Sequence, residues 1–212
     1  MKKKSAGERL ETHQFGEVML EHLHRYAITL ELCKNKVVLD IASGEGYGSN
    51  MLANVASNVT GVDISYEAIN AANVKYARKQ DNLEFIKGSA DSIPTKSDLY
   101  DVVVSFETIE HHDRHKEMIA EIKRVLKPDG LLIISSPDKL FYSDKKGTTN
   151  PFHVKELYKD EFKSLLTDSF KNAELFRQNS FFCSLIVPDH NRKPPTKEYK
   201  ILPGRLFQCC RT

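Results

Sequence analysis

Acidic and imidazole side chains cluster in the segment Glu107-Thr108-Ile109-Glu110-His111. If a helical turn begins there, Glu107, Glu110 and His111 share one face, because residues three and four apart are neighbours on a helix. A further histidine, His153, follows about forty residues later. Side chains of these types act as general bases or bind metal ions.

Three interpretations of this cluster stay open. In the first, His111, with His153, contacts the substrate or accepts its proton, and no metal takes part. In the second, Glu107, Glu110, His111 and His153 bind a divalent cation such as Mg²⁺ or Mn²⁺, because mixed carboxylate and imidazole ligation suits such an ion. In the third, the turn only supports the fold.

A glycine-rich turn follows the β-branched apolar run at 37–41. Glycines at positions 44, 46 and 48 allow the backbone to take positive φ and to approach a ligand closely. The helix that follows offers unpaired N–H groups and a partial positive charge. In the dinucleotide-binding fingerprint GxGxxG, the third glycine would fall at Ser49. The spacing therefore argues against a nicotinamide dinucleotide.

Two carboxylates follow the next two predicted strands. Asp63 ends the run 58–63, and Asp91 follows the weaker strand 83–86 in the segment Gly88-Ser89-Ala90-Asp91. A carboxylate at position 63 can accept both hydroxyls of a ribose in charge-assisted hydrogen bonds. A carboxylate at position 91 can accept a hydrogen bond from the amino group of adenine. The pattern predicts a site for an adenosyl compound.

Predicted strands alternate with helical segments from residue 37 to residue 135, which predicts βαβ units and a mainly parallel sheet. In such a sheet, ligands bind outside the carboxyl ends of the strands. The glycine turn, Asp63, Asp91 and the cluster after strand 101–106 all fall at such ends. Further strands are predicted at 131–135 and, as a final antiparallel pair, at 173–177 and 182–187.

We predict three parts of the chain: an N-terminal helical cap at 1–36, a ligand-binding domain at 37–187 and a C-terminal extension at 188–212. Apolar residues at helical spacing predict a helix over 17–32 in the cap. We expect this helix to cover the ligand. The long loop at 136–154 is expected to shape the pocket of a second substrate, because loops of this length in compact domains are often functional.

The stretch from about Val37 to Pro137 resembles the class I S-adenosylmethionine (SAM)-dependent methyltransferases. The resemblance is carried by the segments VVLDIASGEGYGS, VTGVDIS, GSADSIP, YDVVVSFETIEH and LKPDGLLIISSP. It implies a Rossmann-like α/β fold with a mainly parallel seven-stranded sheet and helices on both faces. It also implies that Asp40 supports the turn or meets the methionine ammonium, that Asp63 holds the ribose and that Asp91 binds adenine.

The resemblance implies a larger set of residues around SAM: Asp40, Ala42, Ser43, Gly44, Gly46, Tyr47, Asp63, Ile64, Ala90, Asp91 and Phe106. Arg25 or Tyr26 of the cap could contact the SAM carboxylate, or could serve only packing. One position departs from the family, which usually has glycine where this chain has Ala42. Alanine is the smallest replacement, so we expect SAM binding to survive.

A narrower resemblance is to methyltransferases found among bacterial surface-polysaccharide genes. It is carried by the segments ERLE, EHLHRY, SGEGYGS, SFETIEH and NPFHVKEL. It implies methylation of a hydroxyl on a sugar or glycan precursor. Small-RNA 3′-end methyltransferases use a similar Glu-x-x-Glu-His group with a later histidine to hold a metal. The alternatives are a different acceptor, either another small metabolite or an RNA 3′ end, and a non-catalytic role as a SAM-binding partner subunit.

The composition excludes several classes. The chain has 212 residues and a net charge of +2, so it lacks the strongly basic character typical of nucleic-acid-binding domains, and we expect a small-molecule or glycan acceptor. No apolar run approaches the roughly 20 residues that a membrane span needs. The four cysteines form no CxxC pair. We expect a cytoplasmic protein, and the sequence leaves its oligomeric state open.

Overall fold

Short β-branched runs that alternate with amphipathic segments build a layered α/β fold. In the computed structural model, residues 16–180 are described in full and residues 205–211 as backbone. The helices are α1 Glu17–Cys33, α2 Tyr47–Ala53, α3 Tyr66–Lys75, α4 His115–Val125 and α5 Lys159–Thr167. The strands are β1 Val37–Ile41, β2 Asn58–Asp63, β3 Leu83–Lys87, β4 Tyr100–Phe106, β5 Leu126–Ser136, β6 Asn172–Gln178 and β7 Arg205–Arg211.

The sheet has the order β3-β2-β1-β4-β5-β7-β6. Strands β1 to β5 run parallel, and Asp40 of β1 lies in register with Gly61 of β2 and Val104 of β4. The order reverses between β1 and β4, which is where such sheets bind ligands. The predicted Rossmann-like parallel fold is confirmed.

Helices cover both faces of the sheet, as predicted. On one face α4 contributes Met118, Ile119, Ile122 and Val125 to a core with Leu39 and Leu132. On the other face Tyr26, Leu52 and Ile69, from α1, α2 and α3, pack with Val38 and Phe85. Within residues 16–180 and 205–211, no helix is long and apolar enough to cross a membrane.

The C-terminal part of the sheet differs from the prediction. Strand β6 forms as expected, but its partner is β7, which also pairs antiparallel with β5. Residues 205–211 therefore pair with the sheet, within the range 188–212 that was predicted as a C-terminal extension. A strand at this position pairs the edge that β5 would otherwise leave open. The predicted strand 182–187 lies outside the described residues.

Gly48 determines how closely α1 approaches α2. A Cβ at this position would lie 2.0 Å from the Tyr26 ring of α1, where no side-chain atom fits. Tyr26 is buried and stands edge-on to Phe106, with ring centres 5.0 Å apart. Glycine at this position therefore allows α1 to pack on the cofactor half of the sheet.

We predict that Gly48→Ala lowers the free energy of unfolding by about 1–3 kcal/mol, the usual cost of overpacking. The gain of up to about 1 kcal/mol in helix propensity opposes this cost without cancelling it. Urea denaturation measures the change. Gly16→Ala is the matched control, because a Cβ there meets nothing within 4 Å. Equal stability of Gly48→Ala and the wild type would contradict this packing.

Candidate active site

A cavity of about 480 Å³ opens at the carboxyl ends of β1, β2 and β4. This volume lies within the range of small-molecule sites. Nine of the residues predicted around SAM line it: Ala42, Ser43, Gly44, Tyr47, Asp63, Ile64, Ala90, Asp91 and Phe106. The two others, Asp40 and Gly46, lie behind its wall.

Gly44 and Gly46 of the glycine turn have different surroundings: the first faces the cavity and the second faces the core. Gly44 has φ +54° and a Cβ there would meet nothing within 4 Å, so this part of the cavity wall is open to a ligand. Gly46 has φ +82°, but a Cβ there would lie 2.5 Å from the Phe85 ring, inside the core. Ala42 takes φ +58°. The position where the family usually has glycine thus carries a left-handed alanine, a conformation that costs about 1–2 kcal/mol.

Asp63 connects the glycine turn to the start of α3. Its carboxylate accepts a hydrogen bond from the Gly44 N–H at 2.9 Å and one from the Ser65 N–H at 2.8 Å. Only 6% of Asp63 is exposed, on the cavity wall. These two backbone donors hold the carboxylate in one orientation, as a ribose-binding acid requires.

The adenine end of the predicted site holds Asp91 and Ile64. Asp91 accepts a hydrogen bond from the Ser89 hydroxyl and forms an ion pair with Arg114 at 2.7 Å. The hydrogen bond from Ser89, and then the charge of Arg114, lower the pKa of the Asp91 carboxyl. Ile64 is 68% exposed at the cavity rim. An ionised acceptor beside an exposed apolar side chain fits a planar base with an amino group.

Asp40 lies behind the cavity wall and supports the glycine turn. It is fully buried and accepts hydrogen bonds from the Ser49 hydroxyl at 2.6 Å and the Tyr26 hydroxyl at 3.1 Å. Burial raises the pKa of the Asp40 carboxyl to about 7, although both hydrogen bonds act to lower it. The role in supporting the turn fits this geometry. Contact with the methionine ammonium does not, because Asp40 does not reach the cavity.

Glu107 is separated from the rest of the acid and histidine cluster. Its φ is +48°, and the single 3₁₀ turn that follows begins only at Ile109. The Ser135 hydroxyl donates to its Oε1 at 2.7 Å, and Arg25 Nη1 lies 3.6 Å from the same atom. The prediction of one helical face for Glu107, Glu110 and His111 is wrong for Glu107, because its left-handed backbone turns its side chain towards β5.

Glu110, His111 and His153 do come together. One ligand atom from each lies within 4.8 Å of the other two. His111 Nδ1 is 3.1 Å from the Phe152 carbonyl, and His153 Nδ1 is 2.6 Å from Glu156 Oε1. Since a carbonyl only accepts, Nδ1 of His111 is the donor in this pair, and in the neutral ring Nε2 is then an acceptor. His111 and His153 both line the cavity.

Arg25 and Tyr26 of α1, which were predicted either to contact the SAM carboxylate or to serve packing, have different surroundings. Arg25 is 1% exposed and donates to the Gln178 side chain at 2.7 Å. It lies beside Glu107 and is not among the residues that line the cavity, so packing and charge pairing are the role that this geometry supports. Tyr26 lines the cavity, but its hydroxyl donates to Asp40. Helical spacing alone could not show that a buried arginine pairs with a strand end.

The raised pKa of Asp40 makes stability depend on pH. An unfolded aspartate has a pKa of about 3.9, so between roughly pH 4 and 7 the folded chain holds a proton that the unfolded chain has released. The free energy of unfolding therefore falls as the pH rises through this window, by up to about 1.4 kcal/mol per pH unit. Above pH 7 the penalty is complete.

We predict that Asp40→Asn, which does not titrate, gains stability relative to the wild type as the pH rises from 5 to 8. Thermal denaturation at four pH values measures the difference. Asp81→Asn is the control, because Asp81 is exposed and does not line the cavity. A difference between Asp40→Asn and the wild type that stays constant with pH would refute the assignment.

Comparison with known proteins points to one chemistry. The family model for a methyltransferase domain matches residues 39–134. A Mycobacterium tuberculosis protein named as a probable SAM-dependent methyltransferase is 36% identical over 138 residues, which are 65% of this chain and 49% of that protein. A Mycobacterium ulcerans phthiotriol/phenolphthiotriol dimycocerosates methyltransferase is 31% identical over 115 residues, which are 52% of this chain and 40% of that protein.

The chain spans about half the length of the first of these relatives and less of the second. Among solved structures, the YcgJ protein of Bacillus subtilis superposes with a TM-score of 0.69 at 18% identity, covering 90% of this chain and 98% of that one. This likeness concerns the fold. The matched stretch contains the glycine turn, Asp63, Asp91 and the cluster after β4. Residues 39–134 are therefore similar to a methyltransferase domain, and the relatives that this chain matches are named as SAM-dependent methyltransferases.

Proposed function

We propose that the chain is a SAM-dependent methyltransferase that methylates a hydroxyl of a sugar or glycan precursor. One observation carries this proposal: a single cavity is lined by Gly44, Asp63 and Asp91 at one end and by His111 and His153 at the other. The first group suits an adenosyl cofactor and the second suits a hydroxyl acceptor. Bound SAM supplies an electrophilic methyl group.

The residues of the protein bind the cofactor, orient it and remove a proton from the acceptor hydroxyl. Asp63 would hold the ribose of SAM and Asp91 its adenine, and alignment of this kind accounts for roughly 7–11 kcal/mol of a barrier in favourable cases. His111 Nε2, an acceptor because Nδ1 donates to the Phe152 carbonyl, takes the proton of the acceptor hydroxyl. General base catalysis of this kind contributes about 10²–10⁴-fold.

A metal-assisted variant has its own supporting observation. Glu110, His111 and His153 have the residue types and proximity that a divalent cation such as Mn²⁺ or Mg²⁺ requires. Glu156 accepts from His153 Nδ1, as carboxylates commonly do behind a metal-bound imidazole. Glu107, which was predicted as a fourth ligand, is engaged by Arg25 and Ser135 and does not belong to this set.

Other acceptors and a non-catalytic role are the competing functions. The M. ulcerans relative is named for a lipid substrate. Another small metabolite and an RNA 3′ end are the acceptors that the sequence also leaves open. A SAM-binding partner subunit would have the same cofactor end of the cavity but would not transfer a methyl group. We favour the sugar acceptor because three polar side chains, Glu110, His111 and His153, line the cavity beside the rings of Tyr142 and Phe152.

For the cofactor, we predict that Asp63→Asn reduces SAM affinity at least tenfold, because an amide loses the charge-assisted hydrogen bonds to the ribose. Isothermal titration calorimetry measures the affinity. Asp81→Asn, the same substitution at an exposed position away from the cavity, should bind as the wild type does. Wild-type affinity in Asp63→Asn would overturn the ribose assignment.

For the reaction, we predict methyl transfer from labelled SAM to a nucleotide-linked sugar or glycan fragment. His111→Ala should lower kcat about 10²–10⁴-fold at unchanged SAM affinity. Full activity in excess chelator would remove the metal-assisted variant, whereas loss with rescue by Mn²⁺ or Mg²⁺ would establish it. Transfer to a lipid or an RNA, but to no sugar, would refute the acceptor class. SAM binding with transfer to none of these would indicate a partner subunit.

A further inference from the structure

The segment between β5 and α5, residues 137–158, forms the side of the cavity next to the histidines. It contains a π-helical turn at Leu140–Asp144, a backbone irregularity that is frequent at functional sites. Tyr142, Phe152 and His153 of this segment line the cavity. The segment therefore contacts whatever binds beside His111.

Four cations lie on this segment and the neighbouring β6, each over an aromatic ring. Lys145 Nζ is 4.1 Å and Arg177 Cζ is 5.7 Å from the centre of the Phe141 ring, so both charges flank one side chain. Lys139 Nζ lies 4.8 Å from the Tyr158 ring, and Lys146 Nζ 5.4 Å from the Tyr142 ring. Contacts of this kind restrain long side chains that would otherwise be mobile.

The carboxylates of the same segment serve its own hydrogen bonds. Asp138 is 4% exposed and accepts from the Leu140 N–H at 3.2 Å. Glu156 accepts from the Ser143 hydroxyl and from His153, and Asp144 accepts from the Tyr158 hydroxyl. Within residues 16–180, none of the four cations forms an ion pair within 4.0 Å. The Tyr158 hydroxyl, and then the charges of Asp144 and Glu156, raise the pKa of Lys139. Because Asp138 and Glu156 are nearly inaccessible to water, Asp144 is the exposed carboxylate of this segment, and its exposed charges are mostly positive.

The cations connect to the reacting end of the cavity through stacked rings. Lys146 lies over Tyr142, and the Tyr142 ring stacks on His153 with ring centres 5.1 Å apart. His153 in turn stands edge-on to His111 at 5.2 Å. An acceptor whose hydroxyl lies at His111 and which extends past the Tyr142 ring would carry an anionic group towards Lys146 and its neighbour Lys145.

We propose that Lys145 and Lys146, together with Lys139 and Arg177, form a subsite for the phosphate or pyrophosphate group of a small acceptor. The inference rests on the proposed function and names the substrate class more narrowly: a phosphorylated or nucleotide-linked sugar. Lysine and arginine are the side chains that bind phosphate, and Arg adds bidentate geometry. Each exposed charge contributes little alone, so the four act together.

Binding of inorganic pyrophosphate to the full chain tests the subsite independently of catalysis. Titration calorimetry at low salt should show binding to the wild type, at least tenfold weaker binding to Lys145→Ala/Lys146→Ala, and equal SAM affinity in both. Lys163→Ala/Lys171→Ala removes the same charge from exposed positions outside the segment and should bind as the wild type does. Absence of binding to the wild type, or equal binding to both double variants, would overturn the proposal.

The transfer assay then separates the possible sources of the anionic group. A phosphate-bearing sugar should have a kcat/KM at least 100-fold above that of the same sugar without phosphate, and Lys145→Ala/Lys146→Ala should raise KM while leaving kcat within twofold. An affinity for oligoribonucleotides that exceeds pyrophosphate affinity and grows with length would overturn the small-molecule acceptor. If no sugar is methylated but pyrophosphate binds as predicted, the proposed reaction fails and the subsite stands.

Discussion

The buried carboxylate of Asp40 joins three elements of the fold. It lies on β1 and accepts hydrogen bonds from Tyr26 of α1 and Ser49 of α2. A buried polar group is costly unless it is hydrogen-bonded, so these donors determine how both helices approach the glycine turn. Gly48 makes the arrangement possible, because any side chain there would occupy the space of the Tyr26 ring. The hydrogen bonds to Asp40 therefore hold the glycine turn on its buried side, and the side that faces the cavity stays open to a ligand.

The two ends of the cavity are both pre-formed by strained or buried groups. Ala42 after β1 and Glu107 after β4 take positive φ, a conformation that persists only where the surroundings impose it and that is common at ligand sites. Arg25, nearly inaccessible to water, lies between Glu21 and Glu107. Charges buried in this way are tolerated only when paired, so the pairing holds Glu107 on the cavity wall.

The cofactor end and the acceptor end have different origins in the chain. The cofactor end is built from the strand ends of a fold that hosts many reactions, so it carries no information about the acceptor. The acceptor end depends on residues 137–158, which lie outside the matched stretch 39–134. His153, the aromatic rings and the lysines of this segment are therefore the features on which the proposed choice of acceptor depends.

Local patterns were enough for the strands β1 to β4, for the glycine turn and for the two acids Asp63 and Asp91. Each of these follows from a short run of residues, and a parallel sheet necessarily brings the ends of its strands to one edge. The predicted proximity of His111 and His153 also holds, although it came from a resemblance rather than from spacing.

Only the tertiary structure decided the remaining features. Glu107 turns to Arg25 and Ser135, and Arg25 is buried behind the cavity wall, which it does not line. Strand β7 inserts between β5 and β6. These outcomes depend on contacts between residues far apart in the chain, where packing and the pairing of buried charges outweigh local preference. Short-range spacing therefore located the groups of the site, and long-range packing determined which of them face the ligand.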